Sequence, residues 1–260
     1  GAAVWSRRRS RAVYARDLSG EGKGTASAAE AARAADFLLI GVPDGAIAGV
    51  VLGLHRARAL KAGQTLIHLS GALPAAALKV RAGLRLGALH PIQTLPTAEE
   101  GIRRLPGSFF GIEGSPGMLP VLGAIVLKLD GIPLRVPAEN KPLYHAAMAM
   151  ACNHVTALAA ASTEMLVKAG LPKAQVLQAL LPLMRGTVDA LARRGVPRAL
   201  TGPVARGDAG LVAMHLAALQ AKMPDLLPLY VTCARQALRV ARAKGLGAKQ
   251  ARELNRILHL

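Results

Sequence analysis

The sequence predicts an α/β domain with a mostly parallel sheet, followed by an all-helical domain. Three observations predict it. Short apolar runs alternate with helical stretches through the first half, each run ends in a turn built from Gly, Pro or Ser, and no convincing strand follows Val136. Strand and helix in alternation require crossover connections, which build a parallel sheet between helical layers.

Taken in order, Ala2–Trp5 is a short run with strand character. Ser27–Ala35 is Ala-rich and helical, with Ser27 as N-cap and Glu30 in the capping-box position. Phe37–Val42 (FLLIGV) is an unbroken apolar run stopped by Pro43-Asp44-Gly45, the pattern of a strand buried on both faces. Ala46–Ala59 is helical, and Thr65–Leu69 is a strand stopped by Ser70-Gly71. Pro74–Arg81 is a further helix, and Arg85–Leu89 a strand stopped by His90-Pro91. Phe109–Ile112 and Ile132–Val136 are strands around a helix at Met118–Leu129. From Pro142 to about Ala169 the pattern is one long Ala/Met/Leu helix, followed by helices at Pro172–Leu183, Ala209–Lys222 and Leu226–Lys244. The shift near Pro137–Lys141 divides the chain into an α/β domain at residues 1–137 and a helical domain at 138–260.

Composition narrows the function classes. Of 260 residues, 52% are apolar and 18% charged, enough for a sizeable core and far from a disordered polymer. Aromatics are 3%, so stacking platforms for nucleic-acid bases are scarce. Cys152 and Cys233 lie far apart, which excludes a disulfide scaffold and a cysteine-rich metal module; no metal site is expected. A net charge of +18 attracts phosphates and anionic surfaces. Ala146–Ala161 contains Asn153 and His154 and falls short of the roughly 18 apolar residues of a spanning helix. Gly1–Arg11 lacks the order of a signal peptide, so a cytoplasmic protein is expected.

In an open parallel sheet, ligands bind at the carboxyl ends of the strands. Ser6-Arg7-Arg8-Arg9 follows the first strand and contains no acid; in a dinucleotide fold, Arg at this place suits the 2′-phosphate of NADP, where an acid would suit NAD. The same run also fits a solvated basic loop. Val42, Pro43, Ser70 and Gly71 follow later strands and complete the candidate cofactor set, with the last two able to bring backbone donors to the cofactor. His90, Gln93 and Thr94 form a candidate substrate loop, and Arg206 is a candidate clamp for a substrate carboxylate. Asp208 reads as the N-cap of the helix that follows.

On the long helix, His145 lies about 40° and Asn153 about 120° from Lys141, so all three share one broad face. Polar groups on a face otherwise Ala and Met are costly unless paired or functional. Lys141 or His145 can act as general acid in carbonyl reduction and Asn153 can orient the substrate; the alternative is a Lys141 solvated at the helix start. The three are expected to face a cleft between the domains, opposite Ser70 and His90. Cys152, flanked by Ala and Met, is expected to be buried and inert.

The stretches VWSRRRSRA, ADFLLIGVPDGAI, HLSGAL, GALHPIQTLP, LPGSFFGIEG, KPLYHAAMAMACNH, LMRGT and LTGPVARGD run over nearly the whole chain. Together they resemble the Rossmann-like oxidoreductases joined to an all-helical domain of unknown function 2520. The resemblance implies an NADP-type (NADPH) dinucleotide fold related to 6-phosphogluconate and pyrroline-5-carboxylate reductases, and a helical domain that mediates dimerisation. The helix carrying Lys141 is similar to the one bearing catalytic Lys and Asn in β-hydroxyacid dehydrogenases, with His145 where those enzymes have Asn. That family opens with a strand, a Gly-x-Gly-x-x-Gly turn and a helix. Gly1 and Ala2–Trp5 match its second strand, so a chain lacking the first strand–helix unit is expected, with weak dinucleotide binding.

The leading expectation is therefore an NADPH-dependent reductase of a small carbonyl or imine substrate, acting as a homodimer. The alternative is a non-catalytic basic scaffold or nucleic-acid-associated protein, supported by the charge and the basic stretch Arg235–Arg256. The chain shows no recognisable nucleic-acid motif, so only nonspecific binding of nucleic acid is expected.

Overall fold

The structure is a computed structural model that describes residues 3–20 and 22–259. Gly1, Ala2 and Leu260, which fall within the first expected strand and at the ends of the two expected domains, lie outside the described residues. The chain folds into two compact units, Gly1–Asn153 and His154–Leu260.

The first unit opens with two short parallel strands, β1 (Ala3–Val4) and β2 (Lys23–Gly24), joined through α1 (Arg9–Ser19). Helix α2 (Ala28–Ala34) starts as expected: Ser27 Oγ accepts from the Glu30 N–H at 3.1 Å, and the Glu30 carboxylate accepts from the Ala26 N–H at 3.0 Å. Next come β3 (Phe37–Ile40), α3 (Asp44–Arg56), β4 (Thr65–His68), β5 (Arg85–Pro91), α4 (Ala98–Arg104), β6 (Phe109–Gly114), α5 (Met118–Lys128) and β7 (Ile132–Arg135). These strands form a five-stranded sheet in the order β3-β4-β5-β6-β7, parallel except between β5 and β6. Adjacent residues of β4 serve opposite cores, as strand alternation requires. Leu66 packs with Ile47, Val51 and Leu78, and Ile67 with Phe110, Met118 and Leu122.

Two local expectations change. Residues 74–81 form only a short 3-10 turn, Ala75–Leu78. The backbone groups at its start are taken by distant side chains: His68 Nε2 lies 3.1 Å from the Pro74 carbonyl and Glu113 Oε2 accepts from the Ala75 N–H at 2.6 Å. Strand β3 is not buried on both faces, since Phe37 is 54% and Leu39 64% exposed. Its free edge borders an apolar slot of about 690 Å³, with Ala3 and Val4 across from it and Ala28, Ala31 and Ala35 along the wall.

The expected long helix at 142–169 breaks at Cys152 (φ −118, ψ −71) into α6 (Lys141–Ala151) and α7 (Asn153–Lys168). Helix α6 belongs to the first unit, so the unit boundary falls after Asn153 rather than at residue 137. The physical reason is that Lys141 and Tyr144 bond to the ends of β4 and β5. The second unit continues with α8 (Lys173–Ala199), which is longer than the expected 172–183 and kinked at Gly195 (φ 71). It ends with α9 (Pro203–Arg206), α10 (Ala209–Lys222), α11 (Leu227–Ala243) and α12 (Ala248–Leu258), packed on Val212, Leu216, Leu238, Leu254 and Leu258. Asp208 caps α10 as expected, accepting from the Leu211 N–H at 3.0 Å. Among the described residues no helix is long and apolar enough to cross a membrane.

Candidate functional site

The carboxyl end of β1 and the start of α1 bring Trp5, Ser6, Arg7, Arg8 and Arg11 against Gly41, Val42, Pro43 and Ala46, around a cavity of about 690 Å³. Among the described residues its lining carries three arginines and no carboxylate. Helix α1 has no side-chain cap on its first N–H groups and no acid in its first turn, so the helix end adds positive potential to the guanidinium groups. Ser6, Arg7, Arg8, Val42 and Pro43 of the candidate cofactor set thus lie around one cavity. Arg11 was missed, though its spacing from Arg7 and Arg8 is one helical turn. Arg9 begins α1 and does not line the cavity.

Ser70 and Gly71 form a turn held from several directions. Ser70 Oγ donates to Asp44 Oδ2 at 2.7 Å and accepts from the Ala72 and Leu73 N–H groups at 3.2 and 3.0 Å. The Ser70 N–H donates to His68 Nδ1 at 3.1 Å, which leaves the His68 Nε2–H to donate to Pro74. That N–H is consumed inside the protein, so Ser70 does not offer it to a cofactor. Lys141 closes the turn, donating from Nζ to the Ser70 carbonyl at 3.2 Å. It is 1% exposed, so the reading of a solvated helix start is overturned. Burial pushes the Lys141 ammonium below its usual pKa, while the Glu113 and Asp44 carboxylates work to keep its charge. Burial likewise lowers His68. Asp44 stands in the Pro43-Asp44 turn after β3, while His68 and Glu113 have no sign in the sequence; the partners of Asp44 and Glu113 lie 26 and 38 residues away.

Gly71 has no room for a side chain. A Cβ there would stand 2.7 Å from His145 Cδ2 and 2.9 Å from His90 Cε1 and Nε2. His145 and Lys141 therefore approach the same turn from one face of α6, as their spacing predicts. His90 and His145 stand edge to face, 6.0 Å between centroids. With Gln93, Thr94, Met148, Cys152 and Asn153 they line a second cavity of about 370 Å³. Burial, with His145 and Lys141 nearby, pushes His90 down to about 4. Tyr144, absent from the expected set, places its hydroxyl 2.8 Å from His90 Nδ1, and burial pushes its phenol up to about 12.

Other members of the expected set have different surroundings. Gln93 Oε1 accepts from the Thr94 N–H at 2.9 Å, and Arg104 donates to Thr94 Oγ1 at 3.0 Å, so this loop is internally braced. Asn153 lines the same cavity, but across the helix break rather than on one continuous face with Lys141. Cys152 is half-buried on the cavity wall at the helix break, not enclosed as expected. Arg206 belongs to the second unit, exposed at the end of α9, with its carbonyl accepting from Gln250 Nε2 at 3.3 Å. The two cavities are joined by a short path of residues. Pro43 lines the first, Asp44 bonds Ser70, and Gly71 meets the two histidines that line the second.

Known proteins share this architecture. The structure of protein TM1727 from Thermotoga maritima matches with a TM-score of 0.72 and 27% identity, over 92% of this chain and 90% of that one. A protein of Bacteroides fragilis, assigned as an NADP oxidoreductase, matches at 0.71 and 22% identity, over 91% and 88%. The pyrroline carboxylate reductase of Plasmodium falciparum, solved with NADP bound, matches at 0.59 and 14% identity, over 97% of each chain. No curated protein matches the chain. A Rossmann-like domain model covers residues 18–91, in agreement with the parallel strands and their crossover helices. The domain of unknown function DUF2520 covers residues 108–237, half the chain, from β6 through the Lys141 helix into α11. The chain therefore belongs to the DUF2520 family, joined to a Rossmann-like domain.

Proposed function

We propose that the chain is an NADP(H)-dependent oxidoreductase that reduces a small carbonyl or imine compound. The observation that carries this reading is the arginine-lined cavity at the end of β1, joined through Asp44, Ser70 and Gly71 to a smaller cavity that holds two histidines. Both volumes fall in the roughly 300–1,000 Å³ range of ligand sites. The arginines and the uncapped start of α1 fit a phosphate-bearing nucleotide, and a lining without a carboxylate among the described residues favours one with a 2′-phosphate. Bound NADPH supplies hydride, which is the cofactor's own chemistry.

The chain's residues do the rest. Arg7, Arg8 and Arg11 attract and orient the phosphates. His145, the more exposed histidine, holds the proton for the reduced product, and Asn153 orients the substrate. Lys141 acts at one remove, because its buried ammonium holds the Ser70–Gly71 turn on which both histidines rest. The structures of the pyrroline carboxylate reductase with NADP and of a reductive aminase with NADPH support the cofactor class. The second unit forms a homodimer in this reading. Leu158 on α7 and Leu177, Leu183, Val188 and Val196 on α8 leave a broad apolar surface exposed.

A fluorescence titration with both cofactors tests the reading. Arg7→Ala weakens NADPH by about 10–100-fold, the loss of one charge-assisted contact of about 1.5–3 kcal/mol, and leaves NADH nearly unchanged. Equal losses for both cofactors would overturn it.

A further inference from the structure

We propose that Tyr144 is a positioning residue: its hydroxyl fixes His90 in the Nε2–H form, so that His90 presents an N–H donor to the cavity beside Gly71. The hydroxyl lies 2.8 Å from His90 Nδ1, with the rings edge to face at 5.6 Å and 85°. Two glycines set this geometry. At Gly111, the partner of His90 in the β5–β6 register, a Cβ would stand 2.5 Å from the Tyr144 oxygen. At Gly71 a Cβ would stand 2.9 Å from His90 Nε2. The missing side chain at Gly111 admits the phenol, and the one at Gly71 admits the far edge of the imidazole.

Proton placement follows from satisfying every buried group. A neutral imidazole carries one N–H, and a phenol both donates and accepts. If Nδ1 held the proton and donated to the phenol, the phenol's own hydrogen would need an acceptor, and its hydrogen-bond partner among the described residues is His90. If the phenol donates, Nδ1 accepts and the His90 proton sits on Nε2, on the ring edge next to Gly71. Neither ring changes charge near neutral pH, because burial keeps the phenol protonated and the imidazole neutral. The charged or titratable groups around His90 are His145, Lys141 and Asp44, and the first two oppose a charge on it. A neutral Nε2–H donor polarises a carbonyl or imine without surrendering its proton, which leaves proton delivery to His145. That catalytic use rests on the reductase reading; the tautomer does not.

The test is long-range 1H–15N correlation of the histidine rings in the labelled full chain at pH 7, with His90 assigned by loss of its signals in His90→Gln. The expected pattern is a pyridine-like Nδ1 and a pyrrole-like Nε2. In Tyr144→Phe the two nitrogen shifts move toward each other as the tautomers mix. A protonated Nδ1 in the unaltered chain overturns the proposal even if Tyr144→Phe does not fold, and so does an unchanged pattern in that variant. A fixed Nε2–H with no NADPH-dependent turnover on any small carbonyl or imine leaves the tautomer standing and removes the reductase reading alone.

Discussion

Replacing Gly71 by Ala tests whether the Ser70–Gly71 turn is the seat of both histidines. The new methyl would meet His145 Cδ2 at 2.7 Å and His90 at 2.9 Å, closer than carbon atoms approach. The two rings respond differently. His145 is exposed on α6 and can change rotamer, at about 0.5–1 kcal/mol. His90 is tied to Tyr144, so moving it strains the site or breaks a hydrogen bond worth about 0.5–1.5 kcal/mol. With overpacking at about 1–3 kcal/mol, the total loss is about 2 kcal/mol, most of it through His90. At a urea slope of about 2 kcal/mol per molar, the midpoint of the first unit's transition falls by about 1 M. A double-mutant cycle locates the cause. Gly71→Ala costs less than about 1 kcal/mol in a His90→Ala background and keeps most of its cost in a His145→Ala background, a coupling of at least about 1 kcal/mol to His90. The same loss in all three backgrounds would refute the reasoning, since the strain would then lie in the turn's backbone and not under the imidazole.

Stability at acid pH carries the signature of His90. Its pKa is lowered from 6.5 to about 4 on folding, so the unfolded chain binds more protons between these values. Stability therefore falls as pH drops from about 6.5 toward about 4, by on the order of 2–3 kcal/mol for a half-buried group, and is flat above. Denaturation curves of His90→Gln should lose that slope, and an unchanged slope would place the titration elsewhere. Lys141→Met removes the donor to the Ser70 carbonyl and leaves Asp44 and Glu113 without their buried counter-charge, for an expected loss of about 1–3 kcal/mol in chemical denaturation. No loss would mean that the ammonium does not hold the turn. Leu183→Glu on the exposed face of α8 should give a monomer by light scattering where the unaltered chain gives a dimer, and equal masses would discard that face as the interface.

What was legible in the sequence follows the range of the forces involved. Strands β3, β4 and β5 could be read because each is an apolar run closed by a local turn. The caps at Ser27 and Asp208 could be read because their partners lie within one helical turn. Helix α6 yielded Lys141 and His145 together because helical spacing alone puts them on one face. Tyr144 could not be found this way, since its partner His90 is 54 residues away and an aromatic in an Ala-rich helix reads as core. The break at Cys152 carries no Gly or Pro; its local sign is Asn153, a residue that favours helix starts and begins α7. The antiparallel turn of β6 also escaped the pattern, yet it shapes the site. By reversing against β5 it brings Gly111 level with His90. A glycine inside a strand pattern signals a close approach without saying of what. The reversal supplies the answer: it clears the place where α6 lowers its phenol onto the imidazole, so sheet topology and proton placement depend on the same residue.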